Sequence, residues 1–437
     1  MKYKSYNISK LKKEIKDEYL YSLCRKRDKD FTRNRKITPR DLIHYTLNNR
    51  GKTTKMELYD FIEEFNLEKV SDVALLKQRE KLNENVFKEL NKSSLIDFYK
   101  MFPNEVKTFK GYILTAIDGS DCEVPNTPKT RERYKTKTGK DAGNIARIKL
   151  SNCYDVLNNY VLDTEIEEYK HGENELAERH MRVVEELITE YPIISIRDRG
   201  YFSLPYMFHS IKNNKKFVIR LNKNYLKEEQ KSMNSNDEWV EIKYQYDRIR
   251  HYKDTDKELY DFYEQGNTIK VRFVNIVLPT GEVETLMTNL GEDEFTTEDI
   301  NWIYQKRWGI ETSYDYLKES MMITNISSSK DTIIRQEIYS QMMVYNIMQS
   351  IVNDLEEEIE QEKYKHKMKI NINMAVGFVK GALVKILIED DDKKKNQLTE
   401  KLFTNILDNI VPIRENRHYK RESSIKNKHP INKRKSI

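Results

Sequence analysis

Apolar positions recur at helical spacing through the first hundred residues, most plainly in SDVALLKQREKLNENVFKELNKSSLIDFYKMF, with Pro39 and Gly51 punctuating earlier segments. That pattern predicts a helical region over 1–108. At Phe109 the composition changes: FKGYILTAID is an apolar, β-branched run of strand length that ends in an acid. ARIKLSNCYDVL and NYVLDTEIEEY read as two strands joined at Leu157-Asn158-Asn159, a hairpin turn. ENELAERHMRVVEELITEY (173–191) has helical periodicity through Leu176, Met181, Val184, Leu187 and Ile188, and Pro192 ends it. PIISIRD (192–198) is a short buried-type strand, LPYMFHSIKN a helix and KFVIRLN (216–222) another strand. Over 109–222 the predicted order is therefore three strands, helix, strand, helix, strand. This is an α/β sheet whose first part is antiparallel and whose later strands are joined by helical crossovers.

The next stretch departs from that alternation. WVEIKYQYDRI, TIKVRFVNIVL and VETLMTNL alternate polar and apolar residues, with Pro279-Thr280-Gly281 as a turn, and predict an inserted β-sheet over 223–292. A helix over 297–322, inside a closing segment of 293–330, returns to the earlier pattern. Thr296 or Thr297 is its N-cap, and Glu298 and Asp299 suit its first turn. Residues 331–413 read as mainly helical and 414–437 as a disordered basic tail. No internal repeat is visible.

Composition narrows the class. A chain of 437 residues is expected to form two or three domains. Hydrophobic residues are 38% and charged residues 34%, so cores can form but every element must carry a solvated face. No stretch approaches the roughly 20 apolar residues of a membrane span. The N-terminus is charged where a signal peptide needs an apolar block, so a cytoplasmic protein without a membrane partner is expected. Cys24, Cys122 and Cys153 form no C-x-x-C pair and read as buried free thiols. The eight His never fall at i, i+4 around a Glu, so a metal here would take carboxylate ligands. The 13 Gly make no phosphate-cradling loop, and no nucleotide cofactor is expected.

Charge is distributed unevenly. Residues 1–50 carry 15 Lys/Arg against 6 Asp/Glu and residues 414–437 carry 9 against 2, which leaves an acidic middle beneath a net charge of +6. Basic ends on an acidic body suit a protein that grips a polyanion, and nucleic acid is the obvious candidate; solubilising tails are the bland alternative. A second basic run lies inside the body. Lys129, Arg131, Arg133, Lys135, Lys137, Lys140, Arg147 and Lys149 face only Glu132 and Asp141, and the run reads as a mobile basic loop.

Asp118 is expected to close the first strand, Asp198 closes a later one, and Glu311 lies within the helix after the insert. In an open α/β sheet, side chains at adjacent carboxyl ends of strands converge in one crevice. Three carboxylates there would repel unless offset, and two Mg2+ ions, which prefer hard oxygen ligands, would do so while serving in-line displacement at phosphorus. Each acid alone also has a structural reading as a turn or cap residue. Asp121 and Glu123 compete with Asp118, and Asp315 with Glu311. At 100° per residue Tyr304, Arg307, Glu311 and Lys318 share one helical stripe beside an apolar stripe of Ile303, Ile310, Leu317 and Met321. An exposed i, i+4 ion pair of Arg307 with Glu311 is the alternative.

Tyr304-x2-Arg307-x3-Glu311-x6-Lys318 resembles the Y-R-E-K signature of bacterial cut-and-paste transposases of insertion-sequence family four, within the DDE transposases. Asp118-Gly119-Ser120 and Asp198-Arg199-Gly200-Tyr201 are similar to that family's first and second catalytic motifs, and the likeness covers about 110–350. The resemblance implies an RNase H-like catalytic core with an inserted β-sheet, flanked by helical N-terminal and C-terminal regions. It further implies that Asp118, Asp198 and Glu311 are catalytic and hold two Mg2+ ions, with Mn2+ as a substitute. Tyr304, Arg307 and Lys318 would then contact transposon-end DNA, whose phosphates Arg, Lys and Tyr suit as partners. Arg131, Arg133, Lys135, Lys137 and Lys140 join them as expected DNA contacts, and residues 1–108 would bind the terminal inverted repeats. The implied partners are double-stranded DNA, at transposon ends and target, and a second copy of the chain in a synaptic homodimer formed through 331–413. For Trp302 and Trp308, packing is favoured over stacking on a displaced base. A catalytically silent DNA-binding descendant and a nuclease of the same fold are the competing functions.

Overall fold

The computed structural model describes residues 2–136, 144–243, 245–278 and 281–413. Six helices come first: α1 (Tyr3–Lys16), α2 (Tyr19–Cys24), α3 (Pro39–Leu47), α4 (Thr54–Phe65), α5 (Asp72–Arg79) and α6 (Asn85–Met101). The α/β part follows as β1 (Ile113–Glu123), α7 (Pro128–Tyr134), β2 (Arg147–Asp155), β3 (Tyr160–Glu168), α8 (Glu173–Leu187), β4 (Ile193–Arg197), α9 (Leu204–Lys212) and β5 (Lys216–Arg220). Next come α10 (Lys227–Lys231), β6 (Asp237–Ile242), α11 (Tyr246–Ile249), α12 (Lys257–Glu264), β7 (Ile269–Val277) and β8 (Val283–Thr288). The chain continues through α13 (Thr297–Gln305), α14 (Trp308–Asp315), α15 (Asp331–Glu356), β9 (Met368–Ile370), α16 (Ile372–Ile388), α17 (Asp392–Leu407) and β10 (Ile410–Pro412).

The main sheet has the order β3-β2-β1-β4-β5-β8-β7-β6. β1, β2 and β3 form an antiparallel meander, and β4 and β5 run parallel to β1. This is the RNase H-like arrangement. The meander turns where the sequence predicts: the Asp155 carboxylate accepts the backbone N–H of Leu157 and Asn158 at 3.0 and 3.1 Å, and Asn159 takes a left-handed φ of 61° that asparagine tolerates. Strand alternation then sorts the two faces. Leu114, Ala116, Ile194 and Ile196 pack with Ile303, Ile310 and Tyr314 of α13 and α14, whereas Ile113 and Ile117 pack with Ala177, Met181 and Val184 of α8.

Three expectations are corrected by the fold. The insert makes no sheet of its own, because β8 pairs antiparallel with the free edge of β5 and β8, β7 and β6 extend the core sheet. Alternation reports a half-buried strand but not its neighbour. The basic run is no loop at its start: Thr127 and Thr130 form a capping box with Pro128 in the first turn, and Lys129, Arg131 and Arg133 ride on α7. Lys137 and Lys140 lie outside the described residues, as does the tail 414–437. The helix expected over 297–322 is tightened at Lys306–Arg307, which separates α13 from α14, and widens to a π turn over Tyr316–Ser320. The backbone nevertheless stays right-handed helical through both places, so its two stripes persist.

Helix α15 ties the molecule together. Its Asn346 amide bonds the backbone of Val161 in β3 at 2.9 and 2.7 Å, and its Gln336 Nε2 donates to the carbonyls of Arg79 and Leu82 at 2.7 and 2.8 Å. Arg79 is buried against Glu337 at 3.1 Å. The N-terminal helices and the sheet consequently share one apolar core. All three cysteines are free and buried.

A buried polar chain fixes α8 on the meander. His180 Nδ1 meets Asp163 Oδ2 at 2.7 Å and His180 Nε2 meets Ser151 Oγ at 3.0 Å. The order is that of a hydrolase triad, but Ser151 is 1% exposed and no substrate reaches it, so the chain is a pin. Burial would raise the Asp163 carboxyl, yet its bonds to His180 and Lys88 hold it well below the usual carboxylate range, so this contribution to stability is present at neutral pH and lost only in strong acid. We predict that His180→Leu, which removes one of the two partners of the Asp163 carboxylate and leaves Lys88 to hold it, lowers unfolding free energy by about 1–3 kcal/mol in urea denaturation at pH 7. A loss below about 0.5 kcal/mol would contradict this reading.

Candidate active site

The site is built by register. The last parallel pair between β1 and β4 is Ile117 with Arg197, and the next residue on each strand is an aspartate. Parallel neighbours lie about 4.8 Å apart and side chains in register share a face, so Asp118 and Asp198 emerge side by side. Alternation places both on the α13–α14 face, with Leu114, Ala116, Ile194 and Ile196. Asp118 does not close its strand as expected: β1 continues to Glu123 because β2 still pairs with it, Asp118 opposite Asn152. It stands instead where β4 ends and a crevice opens. Asp198 keeps an extended backbone and leads into a single 3₁₀ turn over Arg199–Tyr201.

Helix α14 and the turn before it close the crevice. Arg307 is 5% exposed, which removes the reading of its pair with Glu311 as an exposed ion pair; the two meet at 2.9 Å. Its charge also acts on Asp118 and Asp198, so one guanidinium bears on all three acids while contacting Glu311. Tyr304 Oη donates to Asp198 Oδ1 at 3.3 Å, and burial pushes the phenol up to about 12, which keeps it a donor. Lys318 donates to Ser120 Oγ and, at 3.3 Å, to the Asp121 carbonyl. The apolar stripe Ile303, Ile310, Leu317 and Met321 is fully buried beneath these groups.

The Asp118 carboxyl is raised to about 6, first by burial and then by Glu311 and Glu173, against the Gly119 N–H and Arg307, which lower it. A cation at this point would relieve that penalty, and a set of carboxylates is the donor chemistry of a hard divalent ion. As they stand, no three His, Cys, Asp or Glu side chains among the described residues are gathered closely enough to hold an ion, and Arg307 supplies the positive charge. Asp121 and Asp315 are exposed, and Glu123 is paired with Arg147 at 2.6 Å.

Other expected contacts are spread more widely. Arg131 is half-buried and reaches Asn126 at 3.3 Å; Arg133 and Lys135 are exposed. Trp302 stacks on Phe109 at 4.5 Å between centroids while remaining 37% exposed, and Trp308 is 49% exposed, so neither is a core residue. Sequence reasoning missed two members of the site. Tyr314 donates to the carbonyls of Asp118 and Leu150, at 2.7 and 3.2 Å, and locks α14 to the sheet. Glu173 approaches from the opposite face; an acid in a helix's first turn is commonplace and gave no signal.

Comparison with known proteins adds three findings. A family model described as a transposase DDE domain matches residues 109–347. The transposase InsG for insertion sequence element IS4 of Escherichia coli (strain K12) is 23% identical over 258 residues, 57% of this chain and 54% of that protein. The chain thus spans about half the length of that curated relative. A cryo-EM structure of the piggyBac transposase synaptic complex with hairpin DNA aligns over 91% of this chain and 85% of that chain, at 10% identity and a TM-score of 0.46.

The raised Asp118 pKa makes a prediction for the metal-free protein. A folded-state pKa above the ordinary carboxylate value favours folding below about pH 4 and loses that contribution as pH rises through about 6. Asp118→Asn is permanently neutral, so with chelator present it should be more stable than wild type by on the order of 1 kcal/mol at pH 7.5 and equal to it near pH 4. Chemical denaturation across that range checks this; a difference independent of pH would refute it.

Proposed function

The chain belongs to the transposase DDE domain family, and on that premise we propose that it binds the terminal inverted repeats of an insertion sequence and performs Mg2+-dependent strand cleavage and strand transfer. The observation that carries the reading is the β1–β4 register, which sets Asp118 beside Asp198 beneath the helix that bears Glu311. Bound at Asp118, Asp198 and Glu311, Mg2+ would supply the charge that activates an attacking oxygen and stabilises the departing one.

The chain's own groups do the rest. Arg307 neutralises the acids and presents a fork suited to a DNA phosphate, so an arriving phosphate competes with Glu311 for it. Tyr304 orients Asp198 through its hydroxyl, and Lys318 offers a point charge at the edge of the Asp118-Gly119-Ser120 segment. In cleavage a water oxygen would bond to phosphorus as the P–O3′ bond breaks and leaves a 3′-hydroxyl. In transfer that hydroxyl would bond to a target phosphorus as the target's P–O3′ bond breaks. Asp118, Asp198 and Glu311 would hold the ions that both steps need.

An exposed basic segment supports DNA as the partner. Arg25, Lys26, Arg27, Lys29, Arg33, Arg35 and Lys36 lie exposed between α2 and α3. Lys26 donates to Thr332, and Tyr134 of α7 to Asp331, so this segment and the basic face of α7 meet at the start of α15. Together they make a track for the DNA backbone, whose neutralisation gives sequence-independent affinity. A homodimer is the synaptic form we propose, by the resemblance to insertion-sequence family four.

Asp118→Asn, Asp198→Asn and Glu311→Gln are each expected to lower Mg2+-dependent cleavage of end-bearing DNA by roughly 1,000-fold or more while binding of that DNA changes less than about threefold. Near wild-type cleavage by any one of them would falsify the assignment. The double variant Arg131→Gln with Arg133→Gln should reduce the slope of log affinity against log salt by up to about 2. An unchanged slope removes α7 from the DNA track.

A further inference from the structure

A fourth carboxylate reaches the site without belonging to any of its motifs. Glu173 opens α8, and its position is fixed at a distance by the His180 pin to Ser151 and Asp163. Its Oε1 is paired with Lys149 Nζ at 2.9 Å. Its Oε1 and Oε2 lie 3.5 and 3.6 Å from the points where a Cβ on Gly119 and on Gly200 would stand. The carboxylate therefore rests over the backbone just after Asp118 and just after Asp198, bridging the two segments from the side of the sheet opposite α14. Glu173 is among the charges acting on Asp118.

Tyr201 is the second, independent sign. Its side chain ends 3.8 Å from the same Gly119 point, it is 2% exposed, and its hydroxyl has no hydrogen-bond partner among the described residues. A buried phenolic O–H left unpaired is costly in a folded protein and marks a place where a water or a ligand oxygen belongs. The charges acting on that hydroxyl come from Glu173, Asp118 and Asp198, opposed by Arg197. An acid and an unpaired donor thus lie together on the α8 side, over the backbone that follows the two aspartates.

We propose that Glu173 and Tyr201 form a positioning pair that holds the water shell of a divalent cation bound at Asp118 and Asp198, and so strengthens cation binding on the α8 side of the site. This rests on the divalent-cation reading given above. Mg2+ keeps several waters when bound through one or two carboxylates, and outer partners of those waters commonly change affinity tenfold or more.

Mn2+ titration of the full chain without DNA, followed by calorimetry, tests the pair directly. Glu173→Gln is expected to weaken Mn2+ binding about tenfold, Tyr201→Phe about threefold, and Glu173→Asp less than Glu173→Gln, because it keeps the charge on a shorter arm. The unfolding midpoint of Tyr201→Phe without metal should match or exceed that of wild type, which separates lost cation affinity from lost fold. Wild-type Mn2+ affinity in Glu173→Gln, alongside lost binding in Asp118→Asn, would overturn the pair and leave the three-acid site standing. Failure of the wild-type chain to bind Mn2+ at all would overturn both.

Discussion

The parallel pairing of β1 with β4 is the constraint on which the rest depends. Two strands far apart in sequence are hydrogen-bonded with Ile117 opposite Arg197, and the chain places an aspartate one step further along each. A slip of one residue would turn either aspartate to the other face of the sheet, away from α14. The register is held by burial: Leu114, Ala116, Ile194 and Ile196 face one layer of helices, and Ile113 and Ile117 face the other. The helices over those residues also deliver the remaining groups, with Glu311 and Arg307 on one face and Glu173 on the other.

Electrostatics make the assembled site expectant rather than settled. Burial raises the Asp118 carboxyl, Glu311 and Glu173 add to that shift, and the buried Arg307 guanidinium offsets it only in part. Tyr304, Arg307 and Lys318 each hold an acid or the backbone beside one. The same side chains have the chemistry to bind a phosphodiester. Binding of cations and DNA would thus exchange internal partners for external ones, with little new charge to bury.

Much of this was legible in the sequence, and what was not has physical reasons. GYILTAID and PIISIRD announce themselves as buried strands by apolar runs that stop at an acid, and Ile303, Ile310, Leu317 and Met321 mark the docking face of a helix. Register and partner choice are not written in one strand's own periodicity, so the extension of β1 past Asp118 and the joining of β8 to β5 could not be read. Arg307 sits in a charge-rich segment that looks solvated, and it is buried because that helix docks on the sheet, with its own Tyr304 and Trp308 rings flanking the guanidinium. The tightening at Lys306–Arg307 leaves the helical φ and ψ intact and so leaves no sequence mark. Helix α7, by contrast, was available in Thr127-Pro128-x-Thr130, a start signal hidden by the basic residues around it.

A single experiment bears most directly on the claim that three distant acids make one site. Crystals of the chain soaked in Mn2+, with anomalous scattering recorded at the manganese edge, should show density bonded to carboxylate oxygens of both Asp118 and Asp198, with Glu311 turned from Arg307 toward it. Manganese bound elsewhere, with Asp118 and Asp198 sharing no ion and Glu311 still paired to Arg307, would contradict the account.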